Sequence, residues 1–117
     1  MAEINTSDEF AVFYEGLDAQ QKNAVHDIVE LLAEFGLALP FPYSSDIKGT
    51  RYPLRELRKS AGRHEMRVIY AFDPKRDAYL ILGGDKSGDD RFYEREIPKA
   101  EAIWEKYLKE IGAWKKQ

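Results

Sequence analysis

Apolar positions in the first third of the chain recur at helical spacing. Phe10, Phe13, Tyr14 and Leu17 fall on one stripe, and Val25, Ile28, Val29, Leu32 and Phe35 on a second. Ser7 is placed to cap the first helix, with Asp8 and Glu9 set against the positive end of its dipole. Gly16 and Asp18 mark a break. Asp18 with Gln21 has the spacing of a capping box, and Gly36 is a natural stop for the second helix. The pattern predicts a helical hairpin after a short strand over residues 2–5. Residues 37–53 hold Pro40, Pro42, Gly49 and Pro53 and read as loop, with a short extended piece around Ile47.

The period then changes. Leu54 to Arg58 alternates apolar and charged residues, so Leu54 and Leu57 face differently on a strand. Met66 to Phe72 is rich in β-formers on both faces, as a central strand requires. Asp73 to Asp77 is a turn, and Ala78 to Leu82 the next strand, antiparallel because the connection is so short. Gly83 through Asp90 reads as a polar loop. Pro98 suits the first turn of a last helix, with the stripe Ala100, Ile103, Trp104, Tyr107, Leu108 and Ile111. The expected architecture is α+β in one domain over residues 1–117. It has an N-terminal strand and helical hairpin, a three-stranded antiparallel meander and a C-terminal helix. The helices are expected on one sheet face, leaving the arginine-bearing face open.

Composition narrows the classes. A chain of 117 residues is long enough for one domain with a real core and too short for two ordinary ones. It has no cysteine, which excludes disulfides, thiolate nucleophiles and cysteine-bound metals. No apolar run approaches the ~20 residues needed to cross a bilayer. The first ten residues carry neither a basic region nor an apolar stretch, against a signal peptide. A cytoplasmic protein is expected. Net charge is −3, but its distribution is uneven. Residues 48–76 carry nine Lys/Arg and three Asp/Glu, whereas residues 1–47 carry one Lys and nine Asp/Glu. Cations gathered on one small sheet of an acidic protein point to a local surface for polyphosphate, most readily RNA.

Three blocks, LRELR at 54–58, RVIYAFD at 67–73 and LILGGDKSGDDRFYEREIPKAEAIWEKYL from Leu80 to Leu108, resemble the HigB branch of the RelE/ParE toxin superfamily, the phage-derived toxin-like proteins. The likeness runs from Asp8 through Leu108 in matching element order. It implies a RelE-like fold and the toxin of a type II toxin–antitoxin pair. It further implies cleavage of mRNA in the ribosomal A site, and a HigA-like helix-turn-helix antitoxin as partner. The acidic N-terminal helices would complement a basic antitoxin surface. Two other readings stay open: a ParE-like toxin that binds a protein target such as DNA gyrase, and a relative that has lost toxicity.

Metal-free RNA cleavage needs a base for the 2′-hydroxyl, cations for the crowded phosphate and an acid for the leaving 5′-oxygen. The expected catalytic set is Arg58, Arg67, Lys86, Tyr93 and His64. The expected RNA-binding set is Arg55, Arg63, Lys48, Arg51 and Arg91. Guanidinium grips phosphate in a bidentate way. Arg55 and Arg58 lie three apart, so they point to opposite faces of a flat strand. The plain alternative for the arginines is solvated charge, or pairing with Glu56 and Glu65. Asp85 and Lys86 follow two glycines that permit a tight turn, and an ordinary polar turn is the competing reading. Of Phe92 and Tyr93, one could stack a base while the other packs against the last helix. Tyr70 reads as core. His64 is placed in the loop before the central strand, where it is either an acid/base or merely solvated. His26 reads as structural or surface. Asp46, Asp89 and Asp90 lack a ligand ladder, so neither metal nor cofactor is expected.

Overall fold

Ser7 and Asp18 set the N-terminal helices. In the computed structural model, which describes residues 2–113, Ser7 accepts a hydrogen bond from the Phe10 amide at 2.9 Å and caps α1, Asp8–Glu15. The Ser7 hydroxyl also donates to the Ile81 carbonyl at 2.5 Å, tying the cap to the sheet. Asp18 and Gln21 complete the capping box of α2, Ala19–Phe35, with bonds of 2.8 and 3.1 Å. Such a cap contributes about 1 kcal/mol. Gly36 closes α2 at a φ of 53°, a conformation that costs glycine little.

The strands are β1 (Ile4–Thr6), β2 (Ser44–Asp46), β3 (Arg55–Ala61), β4 (His64–Phe72) and β5 (Ala78–Asp85), and α3 spans Phe92–Glu110. They form one mixed sheet in the order β1-β5-β4-β3-β2. The antiparallel meander β3-β4-β5 is present as expected, but it is extended on both edges. β1 adds in parallel to β5, and β2 pairs antiparallel with β3. The short strand expected over residues 2–5 is present as β1, and β2 lies just before the extended piece expected around Ile47; their edge pairing was not expected, because three residues are too few to show a period.

Two cores lie on opposite faces of the sheet. One joins Phe10, Val25, Ile28 and Leu32 of the N-terminal helices to Leu57, Met66, Val68, Tyr70 and Leu80. α1 lies against β5, and α2 against β3 and β4. The other joins Ala100, Trp104 and Leu108 of α3 to Leu54, Ile69, Ala71, Tyr79 and Ile81. The expectation of one covered and one open face is therefore corrected. β4 is apolar on both sides, and both sides need cover. Ile111, expected on the α3 stripe, falls just past the helix and is 44% exposed.

Three local readings also change. β5 runs through Gly83 and Gly84 instead of ending at Leu82. α3 starts at Phe92, so Pro98 is its seventh residue and not in its first turn. β4 begins at His64, which is strand and not loop. The glycine pair has no left-handed φ, and close approach explains it instead. A Cβ on Gly83 would lie 2.1 Å from a ring carbon of Phe13, and one on Gly84 would lie 2.5 Å from a ring carbon of Phe92. The two rings belong to α1 and α3, on opposite faces.

Gly83→Ala is accordingly expected to lower stability by about 1–3 kcal/mol through overpacking against Phe13. A urea unfolding midpoint equal to that of the unsubstituted chain would remove close approach as the reason for this glycine.

Candidate functional site

Alternation along β3 and β4 places Glu56, Arg58 and Ser60 beside Glu65 and Arg67 on the α3 side of the sheet. Arg58 and Arg67 stand directly opposite each other in the ladder, and Gly84 of β5 is next to Arg67. The missing side chain at Gly84 lets Phe92 seat closely. Phe92 is buried, and the next residue, Tyr93, lies over the sheet. The Tyr93 hydroxyl donates to Glu56 Oε1 at 2.6 Å. Lys86 Nζ sits 5.7 Å from the Tyr93 ring centroid. Four of the five residues expected to be catalytic, Arg58, Arg67, Lys86 and Tyr93, are thus brought together.

Burial shapes their electrostatics. Arg67 is only 5% exposed. Its Nη1 donates to the Met66 carbonyl at 3.0 Å and lies 3.6 Å from Glu65, while Nε lies 3.8 Å from Glu56. That Nε is buried without a hydrogen-bond partner among the described residues, an arrangement that costs about 1–3 kcal/mol. Glu56 is itself buried. Burial, then the bond to Glu56, raises the Tyr93 hydroxyl above its ordinary value, opposed by Arg67. The phenol stays protonated and suits an acid better than a base. Arg58 forms no ion pair among the described residues, and its guanidinium lies 5.4 Å from the Phe41 ring centroid. Pro42, Tyr43, Arg58, Ser60, Glu65 and Arg67 are among the residues lining a hollow of about 250 Å³ there. A larger groove of about 710 Å³ lies elsewhere, with Asp8, Glu9 and Glu110 on its walls, a poor setting for phosphate.

His64 goes to the other side. It shares the sheet face of Met66, and its Nδ1 is hydrogen-bonded to Asp85 Oδ2. Asp85 Oδ1 also accepts from the Glu65 amide at 3.1 Å, the Ser87 amide at 3.0 Å and the Ser87 hydroxyl at 2.6 Å. The Lys86 amide donates to the Glu65 carbonyl at 2.8 Å. Further on, Arg95 donates to Asp89 at 2.6 Å, and Asp89 accepts from the Arg91 amide at 3.1 Å. Asp85 and Asp89 therefore fix the loop that presents Lys86.

The expected RNA-binding residues scatter. Arg55 points to the α2 side, as its spacing from Arg58 required. There it pairs with Asp46 and donates through Nε to Ser44 at 3.1 Å and Tyr70 at 3.3 Å. Arg51 is tied to α3 through Glu101 at 3.5 Å and Glu105 at 3.4 Å. Lys48 is exposed on the loop before it. Arg63 is exposed in the β3–β4 turn, and Arg91 is exposed at the start of α3. His26 is exposed on α2 beside Asp27 and Glu30, as a surface reading expects. Tyr70 is core. The pairing with Glu56 and Glu65 that the sequence offered as the plain alternative is present at Arg67. The hydrogen bond of Glu56 to Tyr93 and the place of Phe41 beside Arg58 had no counterpart in the sequence reading. Phe41 sits in a proline-rich loop and carried no signal.

The Asp85 carboxyl is raised by burial but lowered more by its hydrogen bonds from Ser87, His64 and Glu65, ending at about 2 against 3.8. A depressed folded value contributes stability above pH 3.8 that is lost as pH falls toward about 2. Asp85→Asn is expected to flatten that acid limb of the stability curve. Equal slopes for both chains between pH 4 and about 2 would show that these bonds contribute nothing.

Comparison with known proteins finds sequence relatives of this chain. Residues 13–105 match the family model described as "Phage derived protein Gp49-like (DUF891)". Two proteins of Mycobacterium tuberculosis are similar in sequence. One, named "Putative toxin HigB2", is 33% identical over 104 residues, covering 86% of this chain and 52% of that protein. The other, named "Putative toxin HigB3", is 36% identical over 87 residues, covering 73% of this chain and 75% of that protein. The alignment thus spans about half the length of the first relative. No solved structure gives a significant match. The chain belongs to the Gp49-like phage-derived protein family, on its HigB-like toxin branch.

Proposed function

We propose that this chain is the toxin of a type II toxin–antitoxin pair and that it cuts mRNA on the ribosome without a metal. The observation that carries the proposal is the grouping of Arg58, Arg67 and Lys86 with the Tyr93–Glu56 pair on one sheet face. Arg58, which has no ion pair among the described residues, would bind a non-bridging oxygen of one phosphate, and buried Arg67 opposite it would add positive charge from beneath. Glu56, the carboxylate in this group, would take the 2′-hydroxyl proton. The protonated Tyr93 phenol would deliver a proton to the leaving 5′-oxygen. Lys86 adds positive charge next to that phenol. The names of the relatives support the toxin role, and a toxin of this kind requires an antitoxin, which we take to be HigA-like with a helix-turn-helix domain. Activity on translating ribosomes would make the cytoplasm its place of action. No helix among the described residues is long and apolar enough to cross a membrane.

A second reading has one observation in its favour. Arg67 is engaged by Glu56 and Glu65, which lowers the charge left for phosphate. A toxin that binds a protein target such as DNA gyrase would not need that charge.

The test is induced expression in a bacterial host with 5′-end mapping of total mRNA. New ends in phase with codons are expected. Arg58→Ala and Lys86→Ala are each expected to cut tenfold or more below the unsubstituted chain with an unchanged urea midpoint, and Tyr93→Phe about 100-fold below it. Arg67→Ala is also expected to cost about 3 kcal/mol, because it leaves Glu56 buried without its cation. Growth arrest without new ends would move the assignment to a protein target. Full cutting by the Arg58, Lys86 and Tyr93 variants would mean the site lies elsewhere.

A further inference from the structure

The loop between α2 and β2 holds aromatic surface that neither core uses. Phe41 is 69% exposed and Tyr43 44% exposed. The loop is nevertheless fixed in place, because the Arg58 amide donates to the Tyr43 carbonyl at 3.0 Å. The Arg58 guanidinium lies against the Phe41 ring. The adjoining hollow of about 250 Å³ is smaller than a pocket for a drug-sized ligand, which starts near ~300 Å³. It has room for one flat ring. Among its lining groups, the Glu65 carboxylate accepts from the Ser60 hydroxyl at 2.9 Å and is still 45% exposed.

We propose that Phe41 is a stacking platform for one unpaired RNA base beside the phosphate held by Arg58, an inference that rests on the ribonuclease reading above. A base has a π-face that pairs with an exposed phenyl ring whatever its identity. Arg58 already occupies ring surface that a base would cover. On binding, the base takes that surface and Arg58 turns to the adjacent phosphate, so one residue exchange couples base capture to phosphate contact. Glu65 is an acceptor with lone pairs to spare. It favours a base carrying an exocyclic amino group over uracil. The cations Arg58 and Lys59 line the same hollow, so a polyanion fits here better than a basic protein segment does.

The experiment uses ribosomes programmed with an mRNA carrying 2-aminopurine in the A-site codon, with a 2′-deoxy linkage that prevents cleavage. Binding of the full chain is read from quenching of the fluorescent base, alongside 5′-end mapping in cells. The unsubstituted chain is expected to quench. Phe41→Ala is expected to weaken that binding about tenfold, and to flatten the base preference at the cuts that remain. Phe41→Trp is expected to restore both. Because Phe41 is exposed, both variants should fold, as far-UV circular dichroism would confirm. Quenching by the unsubstituted chain that depends on Phe41, without any new 5′ ends in cells, would sink the ribonuclease reading and keep the platform. Absence of quenching by the unsubstituted chain would overturn the platform. So would Phe41→Ala binding and cutting like the unsubstituted chain. Loss of antitoxin co-purification by Phe41→Ala, with quenching unchanged, would also overturn it and make this residue a protein anchor.

Discussion

The whole molecule is arranged around β4, a strand apolar on both sides. Met66, Val68 and Tyr70 face the N-terminal helices, while Ile69 and Ala71 face α3. A strand buried on both faces demands a layer on each, and three amphipathic helices are what the chain has to supply them. Once α1 and α2 occupy one side and α3 the other, little sheet remains for solvent. Arg58, Arg67 and Lys86 are gathered where cover runs out, around the first turn of α3.

How closely the helices seat on either face of β5 is governed by two absent side chains. Gly83 and Gly84 admit Phe13 from one face and Phe92 from the other. With Phe92 seated against Gly84, the next residue reaches across the sheet, and the Tyr93 hydroxyl meets Glu56. A residue that looks like loop flexibility in the sequence is therefore a packing device. It sets the height of the site above the strands.

A second device sets which side chains share the site. The β4–β5 ladder pairs Ile69 with Leu82 but Tyr70 with Leu80, so Ile81 is an extra residue. Ile81 and Leu82 both join the α3 core. Beyond the bulge the alternation of β5 is shifted by one. Asp85 lands on the His64 side and Lys86 on the Tyr93 side. In unbroken register the two would exchange faces. His64 is on the far side by its three-residue spacing from Arg67 along β4, and the inserted residue in β5 is what brings Asp85 to it. The cluster in turn combines opposite demands. Arg67 and Glu56 form a buried ion pair, but at 3.8 Å it is too long for the Arg67 Nε to gain a hydrogen bond from it. Buried pairs of this kind are weak sources of stability, and an unsatisfied donor at such a site is consistent with a functional arrangement.

The sequence by itself determined what depends on neighbours along the chain. Ser7, Asp18 with Gln21, and Gly36 fixed both ends of the N-terminal helices, because caps act within three or four residues. The Asp73–Asp77 turn and the period-two run of β4 fixed the meander, and the opposed directions of Arg55 and Arg58 follow from spacing alone. The cation-rich segment and the family resemblance were legible for the same reason, being patterns of residue type in order. The tertiary structure decided what depends on residues far apart. The parallel pairing of the expected N-terminal strand with β5, the α3 layer over the supposedly open face and the bulge at Ile81 all arise from long-range contacts, which three-residue strands and a single inserted residue do not announce. So do Glu56 under Tyr93 and Phe41 beside Arg58. Each owes its place to which side of the sheet a distant element covers, and that is settled by burial of the two cores, not by the local chain.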